Sequence, residues 1–304
     1  MKRWTILLLI LCLLTGCAAA PVESTSPAEP PASTDPSPTP APAAPAEIAP
    51  EEKPCTLTLD MVERADSVQG EDGTELAEYR LSLPRLTARR GDGTAIETAE
   101  TEAETRALAA AETFNGQFAA WAGQEPLQEL EKMAREEWDF RQEADIPWTA
   151  ALTEELECQV YQTERLVSVA GTYYSYTGGA HPNTVLTAWN FDLERGDFFA
   201  PEQLAEDSEV FSQAVYREIL RQIDCWAGEN GMEAEDLFWS NYEEIAADWS
   251  SYAVSFDETG MTVAFSPYEL AAYAAGSQVF RMDYGFLDPL LSDEGRTLLG
   301  LAEQ

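Results

Sequence analysis

The sequence predicts an α+β fold in which mainly antiparallel sheets pack against several amphipathic helices. Segments of alternating apolar and polar residues, separated by turn residues, occur in clusters. Segments with apolar residues at helical spacing occur in clusters of their own. The two kinds of segment do not alternate regularly, as they would in a parallel sheet built from strand–helix–strand units.

The N-terminus is typical of an exported protein. Lys2 and Arg3 precede the apolar stretch Thr5–Leu14, which is too short to span a bilayer. The tetrad Leu14-Thr15-Gly16-Cys17 resembles the lipobox of bacterial lipoproteins, in which the cysteine is lipidated; an ordinary secretory signal is the alternative. We therefore interpret residues 1–16 as a signal peptide. Lipidated Cys17 would then anchor the protein at the extracytoplasmic face of the bacterial cell membrane.

Residues 17–54 differ sharply in composition from the rest of the chain. Eleven of the eighteen prolines lie here, among Ala, Ser, Thr and Glu, with few large apolar residues. Such a segment buries too little surface to offset its conformational entropy, so we expect a disordered tether. The rest is long enough for a substantial core, and we divide it into an N-terminal half, 55–150, and a C-terminal half, 151–304.

The pattern of the N-terminal half predicts two strands followed by two helices. Thr56–Val62 and Ala77–Leu83 alternate as strands do, and Pro84 either ends the second strand or marks it as an edge. Helices are predicted over Thr98–Trp121 and from Leu127 to about Glu143. The apolar residues at helical spacing are Leu108, Ala111, Phe114, Phe118 and Trp121 in the first helix and Leu130, Met133, Ala134 and Trp138 in the second.

The pattern of the C-terminal half predicts six strands and three helical segments. A helix capped by Asp207 or Ser208 carries an apolar stripe, and a shorter acidic helical stretch follows over residues 234–247. The stripe consists of Phe211, Val215, Ile219, Ile223 and Trp226. The predicted strands are Glu155–Gln162, Arg165–Tyr176, Val185–Asp192, Ser251–Phe256, Met261–Phe265 and Gln278–Met282, and a terminal helix is predicted over Leu287–Leu299.

The charge of the chain restricts its partners. The formal net charge of −37 would become −39 once Lys2 and Arg3 left with the signal peptide. Such a charge excludes nucleic acid as a partner and would attract a cationic protein. Solubility alone is the alternative explanation of the acidity.

Two further residue types restrict the chemistry. Cys55, Cys158 and Cys225 have no metal-ligand spacing, so they predict either one disulfide or free thiols. His181 is the only histidine, which excludes metal sites that need two imidazoles. Ser175 lies near it in the sequence, but no nucleophile elbow surrounds that serine. We therefore favour a structural role for His181, and we predict no catalytic, cofactor-binding or metal-binding residues.

Two sequence blocks carry a family resemblance. Tyr173–Asp192, which reads YYSYTGGAHPNTVLTAWNFD, and Met261–Leu291 resemble the two signatures of a domain shared by RsiV-like anti-sigma-factor ectodomains and the non-catalytic part of PdaC-type deacetylases. This chain departs from the family in several ways. A lipobox replaces the sigma-binding segment and membrane helix of RsiV-like proteins, and no residues remain for a deacetylase module. Ala271-Ala272-Tyr273 replaces the family's Ala-Pro-Tyr, and Met282-Asp283-Tyr284 replaces its Ile-Pro-Tyr.

The resemblance implies a non-catalytic binding ectodomain, which in the RsiV-like branch recognises lysozyme. We therefore expect a surface lipoprotein that binds a cationic protein such as a lysozyme-type muramidase, or a cell-wall component. The expected contact residues are Gly178, Gly179, His181, Pro182, Asn183, Pro267 and Tyr268. The alternatives are a peptidoglycan-active accessory enzyme that uses carboxylates, and an envelope lipoprotein without a dedicated ligand.

Overall fold

The computed structural model describes residues 55–301. The predicted signal peptide (1–16), lipidated Cys17 and tether (17–54) lie outside these residues. Within 55–301, no helix is both long and apolar enough to cross a membrane. All three thiols in this part of the chain, those of Cys55, Cys158 and Cys225, are free, which decides between the two predicted states of these cysteines.

A six-stranded sheet forms the centre of the molecule, with its strands in chain order. Every neighbouring pair is antiparallel except the second and third strands, which are parallel. The strands are β1 (Thr56–Gln69), β2 (Glu75–Arg89), β3 (Leu152–Gln162), β4 (Leu166–Tyr176), β5 (Asn183–Asp192) and β6 (Asp197–Phe198). The predicted α+β class with mainly antiparallel pairing is confirmed. Because β2 pairs with β3, strands from both sides of residue 150 share this sheet.

Pro84 lies inside β2 and does not end it. β3 pairs with β2 only as far as Ser82, so the outer edge of β2 is open from Pro84 onward. The Asn115 side chain covers that edge: its Oδ1 accepts from Leu86 N–H at 2.9 Å and its Nδ2 donates to Leu86 C=O at 2.8 Å. Backbone groups two residues apart point to the same side of a strand, so the Pro84 nitrogen points to the same open edge as Leu86 N–H. No neighbouring strand needs a hydrogen bond there, and the missing N–H of proline is therefore tolerated.

Two helices pack on one face of this sheet. α1 (Glu102–Ala122) begins at Thr101, whose hydroxyl accepts from Glu104 N–H, and α2 is Glu125–Ala144. Phe114 of α1 is fully buried, with its ring 5.3 Å from that of Phe191 on β5. Met133, which was predicted on the apolar stripe of α2, is exposed because that helix buries only Leu130 and Ala134.

A second layer lies on the opposite face, over β4 and β5. It contains α3 (Ser208–Glu229) and a three-stranded antiparallel sheet of β7 (Ala253–Phe256), β8 (Gly260–Phe265) and β9 (Gln278–Asp283). Leu166 and Val167, adjacent on β4, are both fully buried but belong to different hydrophobic cores, since neighbouring strand residues point to opposite faces. The short helices of this part are α4 (Ala234–Leu237), α5 (Tyr242–Ala247), α6 (Tyr284–Leu287) and α7 (Asp293–Leu298).

Two predictions for this layer are wrong. The terminal helix over Leu287–Leu299 is interrupted, because a 3₁₀ turn follows Leu287 and Ser292 caps a separate helix by accepting from Gly295 N–H. Trp226 lies on the predicted apolar stripe of α3 but is 44% exposed. Its ring packs edge-on against Phe238, 5.7 Å away, at the rim of the core.

Candidate functional site

Both sequence blocks with the family resemblance place a loop at the same end of the molecule. The first loop, residues 177–182, joins β4 to β5, and the second, residues 266–277, joins β8 to β9. Ser266 joins the second loop to β5, because its hydroxyl accepts from Leu186 N–H at 3.0 Å. Glu269 in turn accepts from the backbone N–H of Ser266.

An aromatic cluster forms where the two loops meet. The rings of His181 and Tyr273 stack with their centroids 4.0 Å apart and an interplanar angle of 22°. The Tyr268 ring lies 5.3 Å from that of Tyr273, and the Tyr273 hydroxyl donates to the carbonyl of Pro182 at 3.2 Å. We call His181, Pro182, Tyr268 and Tyr273 the Tyr–His cluster.

Both ring nitrogens of His181 have hydrogen-bond partners. Nδ1 lies 2.8 Å from Pro182 C=O, and because a carbonyl oxygen only accepts, Nδ1 carries the proton. Nε2 lies 3.3 Å from the Tyr268 hydroxyl, within hydrogen-bonding distance. This arrangement pins one loop to the other, as the predicted structural role of His181 requires.

The backbone of both loops adopts conformations that hold the cluster at the surface. Gly178 has φ 83° and Gly179 φ 129°, which glycine adopts without steric cost. Tyr268 also has a positive φ, 74°, which is rare for a residue with a side chain. Its carbonyl accepts from the Trp239 indole N–H at 3.1 Å, and its ring stays 53% exposed. The protein thus maintains an unfavourable backbone conformation that presents an aromatic ring to solvent.

The seven predicted contact residues do not all lie in the Tyr–His cluster. His181, Pro182 and Tyr268 belong to the Tyr–His cluster, whereas Gly178 and Gly179 shape the loop beside it. Asn183 pairs with Ser175 at the start of β5, and Pro267 is half-buried next to Tyr268.

Sequence reasoning did not assign Tyr273 to the site. Its signal was its place in Ala271-Ala272-Tyr273, which stands in the second block where the family has Ala-Pro-Tyr. The supporting residues Ser266, Glu269 and Trp239 gave no sequence signal, because each acts on a residue distant in the chain or through backbone atoms.

The segment of the chain that contains the second loop carries only negative charges. Residues 222–280 contain no lysine or arginine and eleven acidic residues. These are Asp224, Glu229, Glu233, Glu235, Asp236, Glu243, Glu244, Asp248, Asp257, Glu258 and Glu269. Among residues 55–301, no group of three or more His, Cys, Asp or Glu side chains is arranged to hold a metal ion. The Tyr–His cluster therefore offers aromatic surface and hydrogen-bonding groups inside a negative field.

Comparison with known proteins is informative for the fold. Residues 196–285, which include Tyr268 and Tyr273 but not His181, match the family model described as "Protein of unknown function (DUF3298)". A solved DUF3298-family protein from Bacteroides fragilis is similar over 83% of this chain and 99% of its own, with 14% identity and a TM-score of 0.53. One from Pseudomonas aeruginosa is similar over 79% and 96%, with 16% identity and a TM-score of 0.43. No curated protein matches. The chain thus carries a DUF3298 match over residues 196–285, and the first of these structures shares its α+β fold.

Proposed function

We propose that this protein is a surface lipoprotein, anchored through Cys17, whose RsiV-like ectodomain binds a cationic protein of the lysozyme-type muramidase class at the Tyr–His cluster. The observation that carries the proposal is the convergence of two loops, 87 residues apart at His181 and Tyr268, on one exposed aromatic surface. Cell-wall material is the other ligand class that an extracytoplasmic position would allow.

The chemistry of the cluster suits protein recognition. Tyrosine rings supply contact area at low entropic cost and are enriched among the residues that dominate interface energies. Tyr268 presents such a ring on a backbone held by Trp239, so little ordering remains for a partner to impose. The acidic surroundings would steer a basic partner towards the ring, which raises the association rate more than the final affinity.

The test is calorimetric titration of the mature protein with lysozyme at physiological salt. We expect a 1:1 complex whose affinity falls at least tenfold in Tyr268→Ala, the loss typical of a central aromatic contact, about 1.4 kcal/mol or more. The matched control is Phe140→Ala, because Phe140 is a 58% exposed aromatic residue on α2, which packs on the opposite face of the six-stranded sheet from β8 and β9. Absence of 1:1 binding, or equal losses in both variants, would count against the proposal.

One carboxylate supports a second candidate, a peptidoglycan-active accessory enzyme. Burial raises the pKa of Glu154 above its ordinary value, and the hydrogen bond from Tyr173 offsets this only in part. Burial, with the nearby charge of Glu154, also raises the pKa of Tyr173 to about 12. A carboxyl group whose pKa is raised is better suited to act as a general acid than an ordinary one. Release of reducing sugars from purified cell wall, lost in Glu154→Gln, would favour this candidate over pure binding.

A further inference from the structure

β9 is the outer strand of the three-stranded sheet, and part of its free edge is open. At Arg281 the edge is covered: the Gln222 side chain of α3 donates to Arg281 C=O at 2.9 Å and accepts from its N–H at 3.4 Å. Along an antiparallel strand, outward-pointing backbone groups recur every second residue. The N–H and C=O of Val279, two residues earlier, therefore also point away from β8, and no residue between 55 and 301 pairs with them.

A groove runs along this open edge. It has a volume of about 310 Å³ and lies between β9 and the last turns of α3. Ile223, Phe238 and Phe280 form its apolar floor, whereas Trp226 and Val279 rise at its sides, 44% and 46% exposed. An open strand edge beside an apolar pocket is the arrangement by which proteins bind extended peptides: the backbone pairs with the edge, and the pocket takes a side chain.

A buried polar atom of the groove also lacks a partner. Gln278 donates through Nε2 to the carbonyls of Ala275 and Gly276, at 3.0 and 2.9 Å. Its Oε1 is buried and has no hydrogen-bond partner within the described part of the chain. Buried carbonyl oxygens are normally hydrogen-bonded, so a donor supplied by a ligand would satisfy this one.

The surroundings indicate the charge of the occupant. The side chains that line the groove are neutral, and Arg281 beside it is paired with Asp257 at 3.6 Å. The ring of Tyr242 lies 5.7 Å from that of Phe238 in the floor, and its pKa is raised by burial and by the charges of Glu243, Glu235 and Asp224. An apolar peptide flanked by basic residues would complement both the apolar floor and these carboxylates.

We propose that this groove binds an extended, cationic peptide segment that pairs with the edge of β9 at Val279 and places an apolar side chain in the groove, against Trp226 and Phe280. The groove is separate from the Tyr–His cluster but adjoins it, because the turn Tyr273–Ala275 contributes Tyr273 to the cluster and Ala275 to the groove. The proposal therefore adds a second binding element to the ectodomain.

The test uses the mature protein and a short acetylated, amidated peptide of alternating lysine and valine, at physiological salt. We expect saturable binding that protects the Val279 amide from hydrogen exchange. Trp226→Ser should weaken binding at least tenfold. Val210→Ser is the matched control and should have no effect, because Val210 is a 55% exposed apolar residue at the other end of the same helix.

Two altered peptides test the mode of binding. N-methylation along one edge of the peptide removes its strand-pairing donors and should abolish binding, and so should replacement of lysine by glutamate. Retained affinity after N-methylation, or no binding of the original peptide, would overturn the proposal. Self-association that Trp226→Ser abolishes, without peptide binding, would instead assign the groove to a second copy of the chain. Tyr268→Ala should leave peptide binding intact, so this test and the lysozyme titration can fail independently.

Discussion

The imidazole of His181 stacks on the Tyr273 ring at a centroid distance of 4.0 Å and thereby fixes the loop of residues 177–182 against the β8–β9 loop. The two residues are 92 positions apart in the chain, and hydrogen bonds from Tyr268 to His181 and from Tyr273 to Pro182 join the same two loops.

We expect His181→Ala to release the first loop without unfolding the protein. The ring is exposed, so its loss should change the free energy of unfolding by less than about 1 kcal/mol. Amide hydrogen exchange at Gly178 and Gly179 should nevertheless accelerate. His181→Phe keeps a ring to stack on Tyr273 but cannot bond to Tyr268, so its exchange rates should lie between those of the other two proteins. Unchanged exchange in His181→Ala would show that the loop is held by other contacts.

Asn190→Ala should loosen the attachment of the three-stranded sheet to the six-stranded one. The buried Asn190 side chain accepts from the Ser168 hydroxyl and donates to Val254 C=O, both at 2.8 Å. Its removal leaves a buried carbonyl unsatisfied, so urea denaturation should show a loss of about 2–3 kcal/mol. Ser168 also accepts from Phe256 N–H, so Ser168→Ala should be destabilising too, and the double variant should lose less than the sum. Strict additivity would contradict this coupling.

Gly295→Ala should destabilise the protein, whereas Gly116→Ala should stabilise it. A Cβ on Gly295 of α7 would lie 2.1 Å from the carbonyl oxygen of Leu204, so the backbone would have to shift, at a cost of about 2–4 kcal/mol. A Cβ on Gly116 of α1 would meet nothing within 4 Å. The gain in helix propensity there is about 0.5–1 kcal/mol. Thermal or urea unfolding measures both, and equal shifts would refute the close approach of α7 to Leu204.

Glu104 should contribute to the acid sensitivity of the fold. Hydrogen bonds, first from Arg90 and then from Glu100 N–H, lower the pKa of Glu104 below its ordinary value of 4.5. The folded protein therefore holds the Glu104 proton less tightly than the unfolded chain, so this stabilisation is present above about pH 4.5 and disappears as the pH falls through the lowered pKa.

In Glu104→Gln, the loss of stability relative to the native protein should be greatest near neutral pH and should shrink below about pH 4.5. Urea denaturation across this pH range measures the difference. Glu100→Gln is the control, because the Glu100 carboxylate lies 3.9 Å from Arg90 and is largely exposed. A loss independent of pH in Glu104→Gln would refute the assignment.

Regular elements were predictable where local pattern and tertiary environment agree. Asp207 was predicted as a cap and does accept from the N–H groups of Glu209 and Val210 at the start of α3. Of the two predictions for Pro84, an end of the strand or an edge, the edge is correct: β2 continues to Arg89 paired with β1, while Asn115 from a distant helix covers its other side. Trp226 fits the apolar spacing of α3 but lies at the rim of the hydrophobic core. Periodicity predicts which face of a helix a residue occupies, but not whether the core extends as far as that residue.

By itself the sequence determined the α+β class, most of the strands and helices, and the acidic charge. Each of these depends on residue type and short-range spacing, which are local properties. Only the tertiary structure decided that Tyr273 faces His181, that Ser266 joins the second loop to β5 and that the edge of β9 is open beside Trp226. These features depend on how strands far apart in the chain pair and pack, which local residue preferences do not specify.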